Sequence, residues 1–139
     1  MSIHFHNEEC RFTYSRGEDT ENWLRKTIAE ERKEEGDINI IFTDNNNILQ
    51  LNKTYLSHNY FTDVIAFQYH EGVKITGDIY ISIDTVKENA RRYHSTFWDE
   101  LHRVMIHGLL HLIGYDDKTA KEKKEMREKE SFYLAKHPD

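Results

Sequence analysis

The segment HGLLHLIGYDD, residues 107–117, carries two histidines four positions apart, a glycine and two carboxylates. Histidines at positions i and i+4 lie on one face of an α-helix, about 6 Å apart along its axis, so both imidazoles can reach one metal ion. The zinc-peptidase motif HExxH has the same spacing, but Gly108 stands where that motif has its glutamate. The pair therefore predicts a metal site, and Gly108 argues against a metallopeptidase.

A third ligand is expected shortly after the pair. Gly114 and Asp117 complete the pattern H-x-x-x-H-x-x-G-x-x-D. A glycine permits the left-handed turn that ends a helix and swings the chain back, which would carry Asp117 toward the imidazoles. Three protein ligands with an open fourth position are typical of catalytic metal sites. We therefore predict that His107, His111 and Asp117 hold the metal, with Asp116 as a turn-capping carboxylate or an outer contact of the site.

The composition limits the classes of protein that the chain can represent. Its 139 residues, 37% of them hydrophobic, are expected to form a single domain over residues 1–139. We expect a cytoplasmic protein, because no apolar run approaches the ~20 residues of a membrane span and no signal-peptide pattern is present. The single cysteine, Cys10, leaves histidines and carboxylates as ligands. A net charge of −6 argues against bulk electrostatic coating of nucleic acid but leaves a local basic groove open.

Hydrophobic periodicity predicts an α+β fold, a mixed four-stranded sheet with helices packed on it. Residues 3–14 are expected to contain an edge strand or short hairpin, residues 38–43 a buried strand, and residues 63–69 and 77–83 an antiparallel hairpin. Helix-start signals fall at Asp19 or Thr20 (with Gly36 as the stop), at Asp44, at Thr85 with Glu88 as a capping box, and at Thr96.

Two helices follow Thr96. Apolar residues from Phe97 to Leu112 recur at helical spacing, which predicts a buried central helix with His107 and His111 beside its apolar stripe, facing a cleft. The last helix is amphipathic, and its expected packing contacts are Met126, Phe132, Tyr133 and Leu134.

The metal segment, with the upstream segments LNKTYLSHNYFTDVIAF and GDIYIS, resembles the YbeY family of metal-dependent endoribonucleases. The family motif H-G-x-L-H-L-x-G-Y-D-H matches except at its last position. The resemblance runs from about residue 38 to the terminal helix. It implies a YbeY-like fold, one zinc ion per chain, catalytic roles for the three ligands, and a cytoplasmic enzyme that cleaves single-stranded RNA in maturation and quality control of small-subunit ribosomal RNA. Ribosomal RNA or the ribosome is then the partner, and neither DNA nor a membrane is expected.

Two positions depart from the family pattern. Asp117 replaces the third histidine, which zinc tolerates because it also accepts carboxylate oxygen. Leu56 replaces an arginine expected to meet phosphate in the cleft. His58 can supply the missing charge when protonated, although a surface-loop histidine is the simpler interpretation. Further candidate RNA contacts are the exposed cations Lys87, Arg91, Arg92 and Lys118.

An alternative function is a non-catalytic, ribosome-associated maturation factor with a structural metal. Leu56 and the acidic net charge favour it. Cleavage of single-stranded RNA with and without chelator separates the two hypotheses.

Overall fold

The computed structural model describes residues 2–56, 62–69 and 72–138. Four strands, β1 (Ile3–Asn7), β2 (Glu34–Thr43), β3 (Val64–Gln68) and β4 (Lys74–Ser82), form one sheet in the order β1-β2-β4-β3. β2 pairs in parallel with β1 and β4, whereas β3 pairs antiparallel with β4. The predicted mixed four-stranded sheet, its edge strand near the N-terminus and its β3–β4 hairpin are confirmed.

The helices described are α1 (Gly17–Glu30), α2 (Asn45–Tyr55), α3 (Ile83–Arg92), α4 (Phe97–Ile113) and α5 (Ala120–Leu134). They follow the predicted order, and the α+β class is confirmed. None of these helices has the length and apolar character that a bilayer-crossing helix requires.

The central helix α4 lies directly on the sheet, as predicted. It packs on β3 and β4, and its apolar stripe shares one buried core with Ile40, Ile79 and Ile81, all at 0% exposure. Gly108 faces the sheet, because a Cβ there would lie only 2.6 Å from Cγ2 of Ile79. A glutamate at this position would therefore be driven into the core rather than into a cleft. This close approach is the structural reason why the motif has glycine after its first histidine.

Three predicted helix signals are wrong, two starts and one stop. α1 begins at Gly17 after Arg16, and Thr20, predicted as a cap with Asp19 as its alternative, is buried inside the helix. Its predicted stop, Gly36, lies within β2 beside an irregular step in the β2–β4 pairing. α3 is capped by Ser82, whose side chain accepts a hydrogen bond from the Thr85 backbone, so Thr85 is not the cap. Both helices begin about one turn earlier than predicted, because the Thr20 hydroxyl is engaged with Tyr14 and His137 and because Ser82 supplies the cap of α3.

The caps of α2 and α4 were predicted from the sequence, whereas the cap of α5 was not. Asp44 and Thr96 cap α2 and α4 as predicted. α5 opens with a capping box of Thr119 and Glu122. Of the packing contacts predicted for α5, Met126 and Tyr133 are buried and Leu134 is half-buried, but Phe132 is 50% exposed, so the prediction for Phe132 is wrong.

Candidate metal centre

Three donor side chains converge at the end of α4. The Nε2 atoms of His107 and His111 lie 3.0 Å apart. Oδ2 of Asp117 lies 3.3 Å from the first and 3.5 Å from the second. In the described part of the chain, this is the group of histidine, cysteine or carboxylate donors close enough together to share one ion.

The spacing of these donors fits a small four-coordinate metal ion. Ligand atoms at about 2.0–2.1 Å from a tetrahedral centre lie roughly 3.3–3.4 Å from one another. The three separations bracket this value, and two imidazoles with one carboxylate are a donor set that zinc accepts. The residues therefore suit the ion that the sequence pattern predicts.

The chain reaches this geometry because α4 ends at Gly114. Its φ of 124° is a conformation that side-chain-bearing residues rarely adopt. The Gly114 backbone N–H donates to the carbonyl of Leu110, and the N–H of Tyr115 donates to the same oxygen. The Tyr115 hydroxyl then donates to Oε1 of Glu31 at 2.6 Å, which anchors the turn to the end of α1. Asp117 is thereby returned to the two histidines.

A buried carboxylate from α5 holds the first histidine. Nδ1 of His107 lies 2.5 Å from Oε2 of Glu130, whose other oxygen accepts from Arg103 at 3.0 Å. With Nδ1 donating to Glu130, the Nε2 lone pair of His107 faces Asp117 and His111. Metal-binding histidines commonly have such a carboxylate partner, which sets the tautomer and the ring orientation.

The two histidines differ in their electrostatic surroundings. Burial lowers the pKa of His107, but the hydrogen bond and charge of Glu130, with the charge of Asp117, outweigh it, so the net shift is upward. Burial also lowers the pKa of His111, and the neighbouring charge of His107 lowers it further. Metal binding requires both rings to present a neutral Nε2, so binding is expected to release a proton, mainly from His107.

The donors line a cleft of about 550 Å³ between the end of α4, the outer edge of β3 and the end of α2. Asp63, at the start of β3, also lines it, and burial raises the pKa of its carboxyl although the charge of His107 lowers it. Among the described residues, the cleft is further lined by Asn52, Leu56, Ala66, Asp116 and Lys118.

The candidate RNA contacts are not all near this cleft. Lys118 lines it, and so does Leu56, at the position where the family has an arginine. Lys87, Arg91 and Arg92 lie exposed on α3 and do not line the cleft. His58 lies outside the described residues. The roles of these residues in RNA binding remain predictions.

Sequence reasoning did not find Glu130, Arg103 or Asp63. Glu130 lies within the charged run KEKKEMREKE, where nothing in the spacing separates it from solvated neighbours. Asp63 belongs to the T-D-V segment, so its position in the motif was visible but its place in the cleft was not. Arg103 lies on α4 itself, one turn before His107, whereas only the packing of α5 and β3 against α4 brings Glu130 and Asp63 to the histidines.

Comparisons with known proteins show which family the chain is similar to. A family model described as "Endoribonuclease YbeY" matches residues 3–137. A protein named Endoribonuclease YbeY from Parabacteroides distasonis is 40% identical over 139 residues, covering 100% of this chain and 98% of its own. One of the same name from Flavobacterium psychrophilum is 50% identical over 113 residues, 81% of each chain. The solution structure of TM1509 from Thermotoga maritima has 33% identity and a TM-score of 0.65, covering 95% of this chain and 86% of that one.

Proposed function

The chain belongs to the YbeY family, and from this we propose that it is a metal-dependent endoribonuclease that hydrolyses single-stranded RNA at His107, His111 and Asp117. The observation that carries the proposal is the convergence of these three donors, with spacing suited to one small ion, inside an open cleft. The curated relatives described above carry the name of an endoribonuclease. We propose zinc as the ion, because two imidazoles and one carboxylate suit it.

We propose a role for each side chain at the centre. The bound ion supplies a Lewis acid for phosphodiester hydrolysis. His107, His111 and Asp117 hold that ion, and Glu130 keeps the His107 ring oriented toward it. Lys118 lines the same cleft, and its proposed role is to contact a phosphate of the RNA backbone.

We further propose that the enzyme works in the cytoplasm on small-subunit ribosomal RNA, on its own or on the ribosome. The support is the family model, which is described as an endoribonuclease, together with the resemblance of the motif, which implies a role in ribosomal RNA maturation. Purified protein is expected to cosediment with ribosomes and to cleave ribosomal RNA in single-stranded regions while leaving duplex RNA intact. Cleavage restricted to duplex RNA would contradict the proposal.

The central test measures cleavage of a labelled, unstructured RNA oligonucleotide by wild type, His111→Ala and His4→Ala. His4→Ala is the matched control, because His4 is exposed on the edge strand β1. Wild type and His4→Ala should cleave, chelator should abolish cleavage, and added zinc should restore it. His111→Ala should lose at least about 100-fold in rate. Equal cleavage by His111→Ala, or cleavage that resists chelator, would overturn the proposed site.

Leu56 favours a second candidate function, a non-catalytic maturation factor with a structural metal. Leu56 is 40% exposed and lines the cleft, so an apolar side chain occupies the place of a phosphate-binding cation.

Leu56→Arg should raise the rate of RNA cleavage, on the order of tenfold for one charge-assisted contact. Leu56→Gln, of similar reach but neutral, is the control. A folded, metal-loaded wild type that binds ribosomes but cleaves no RNA would favour the second function.

A further inference from the structure

We propose that the outer edge of β3 recognises single-stranded RNA through the backbone N–H and C=O groups of Val64 and Ala66. This inference rests on the proposed function and adds to it the part of the cleft that selects unpaired bases. It requires that these backbone groups point away from β4, that they lie in the cleft, and that bases are better suited to them than phosphates are.

The hydrogen-bond pattern of the β3–β4 pair sets the direction of each backbone group. The carbonyl of Asp63 accepts from the N–H of Ser82, and the N–H of Tyr69 donates to the carbonyl of Thr76. Both pairs fit the antiparallel register, in which Ala66 lies opposite Ile79. The backbone N–H and C=O groups of successive residues point alternately to opposite sides of an antiparallel strand, so those of the odd-numbered residues of β3 point toward β4. The groups of Val64 and Ala66 therefore point outward.

Within the described residues, the outer edge of β3 is unpaired and lies at the cleft of the candidate metal centre. β3 is the last strand of the sheet, and no other strand in the described ranges pairs with its outer side. Val64 and Ala66 line the same cleft as His107 and His111. An open edge of this kind is a ready template for donors and acceptors of another chain.

The charges in the cleft favour contact with bases over contact with phosphates. Among the described lining residues there are three carboxylates, Asp63, Asp116 and Asp117, and one lysine or arginine, Lys118. Even with a bound ion of charge +2, these groups sum to about zero, so they offer phosphates no net attraction, and neutral backbone groups do not depend on it. One residue offers a donor beside an acceptor, which matches the exposed Watson–Crick edge of an unpaired base. In a duplex that edge is already paired, so the same contact selects single strands.

The first test removes one outward donor. Proline lacks an N–H and is tolerated on an edge strand where the N–H faces outward, so Ala66→Pro should leave the β3–β4 pairing intact. Ala66→Val adds a side chain of similar size but keeps the donor. With chelator present to prevent cleavage, Ala66→Pro should bind a fluorescent single-stranded oligonucleotide about five- to tenfold more weakly than wild type or Ala66→Val. Zinc affinity and circular dichroism should be unchanged.

A second measurement needs no variant. Amide hydrogen exchange at Val64 and Ala66 should be fast in the protein alone and slow when single-stranded RNA is added. Ile65 and Phe67, whose N–H groups face β4, provide the internal control and should be protected in both states. Exchange at Val64 and Ala66 that is unchanged by saturating RNA would overturn the inference even if Ala66→Pro failed to fold.

The outcomes separate this inference from the proposed function. If wild type cleaves RNA and Ala66→Pro binds and cleaves it equally well, the edge inference alone fails. If wild type cleaves no RNA with zinc, but RNA protects Val64 and Ala66, the hydrolytic function fails and the edge remains an RNA-binding surface. If an extended polypeptide protects these amides and RNA does not, the edge binds protein and the inference is wrong.

Discussion

At the residue scale, the choice between two adjacent carboxylates defines the centre. Oδ2 of Asp117 lies 3.3 Å from His107, whereas Asp116 is exposed on the turn. Asp117→Ala should weaken zinc binding by more than about 100-fold, because loss of an outer partner alone costs 10–100-fold. Asp116→Asn should change it less than about twofold. Competition with a chromogenic chelator measures the zinc affinity of both variants. If Asp116→Asn loses more affinity than Asp117→Ala, the ligand is Asp116 and not Asp117.

Glu130 is predicted to act on the metal through His107. Glu130→Gln keeps the shape of the side chain but weakens its charge-assisted bond to Nδ1, so zinc affinity should fall about 10–100-fold. Glu128→Gln, on the exposed side of α5, is the matched control. Thermal unfolding of the zinc-free proteins should separate an effect on the site from one on the fold. Unchanged zinc affinity in Glu130→Gln would mean that α4 alone orients His107.

At the element scale, Glu31 joins three parts of the fold. It follows the end of α1 and accepts hydrogen bonds from Tyr115 on the metal-site turn and from Tyr133 and Lys129 on α5. Burial raises the pKa of the Glu31 carboxyl, but these bonds outweigh it and hold the pKa below the ordinary 4.5. The ionised carboxylate therefore stabilises the fold above about pH 4.5, and this contribution is lost as the pH falls through the lower folded-state pKa.

Glu31→Gln is accordingly expected to lower the free energy of unfolding by about 1–3 kcal/mol at neutral pH. It should also remove part of the loss of stability that wild type shows below about pH 4.5. Urea unfolding at several pH values measures both effects. Glu30→Gln is the control, because Glu30 is the exposed neighbour, paired only with Lys136 among the bonds described. If the free energy of unfolding depends on pH in the same way for wild type and Glu31→Gln, Glu31 does not contribute to the acid sensitivity of the fold.

At the scale of the whole molecule, the metal is expected to stabilise the fold. The ion would join α4 to the turn that leads into α5, so it should bind the folded chain far better than the unfolded one. At 100 times its dissociation constant, a ligand adds about 2.7 kcal/mol to the free energy of unfolding. Zinc should then raise the melting temperature by roughly 5–15 °C. With zinc, the melting temperature of His111→Ala should rise little, and that of His4→Ala should rise as much as that of wild type. An unchanged melting temperature in wild type would contradict the proposed metal site.

The order of the elements and the donor set could be predicted because they depend on short-range patterns. Helical spacing placed His107 and His111 on one face, and Gly114 with Asp117 followed within two turns. Alternating and β-branched segments marked the strands, and Asp44 and Thr96 marked two helix starts. Each of these signals acts between residues a few positions apart, so the amino-acid types alone carry it.

Only the tertiary structure decided which distant groups complete the site. The pairing of Glu130 with His107, the link from Glu31 to Tyr115 and the open edge of β3 join residues far apart in the chain. The same packing overrode local signals, since it buried Thr20 inside α1 and left Phe132 exposed. Such contacts depend on how helices and strands share one core, and a carboxylate in a charged run looks the same in sequence whether it meets water or a histidine.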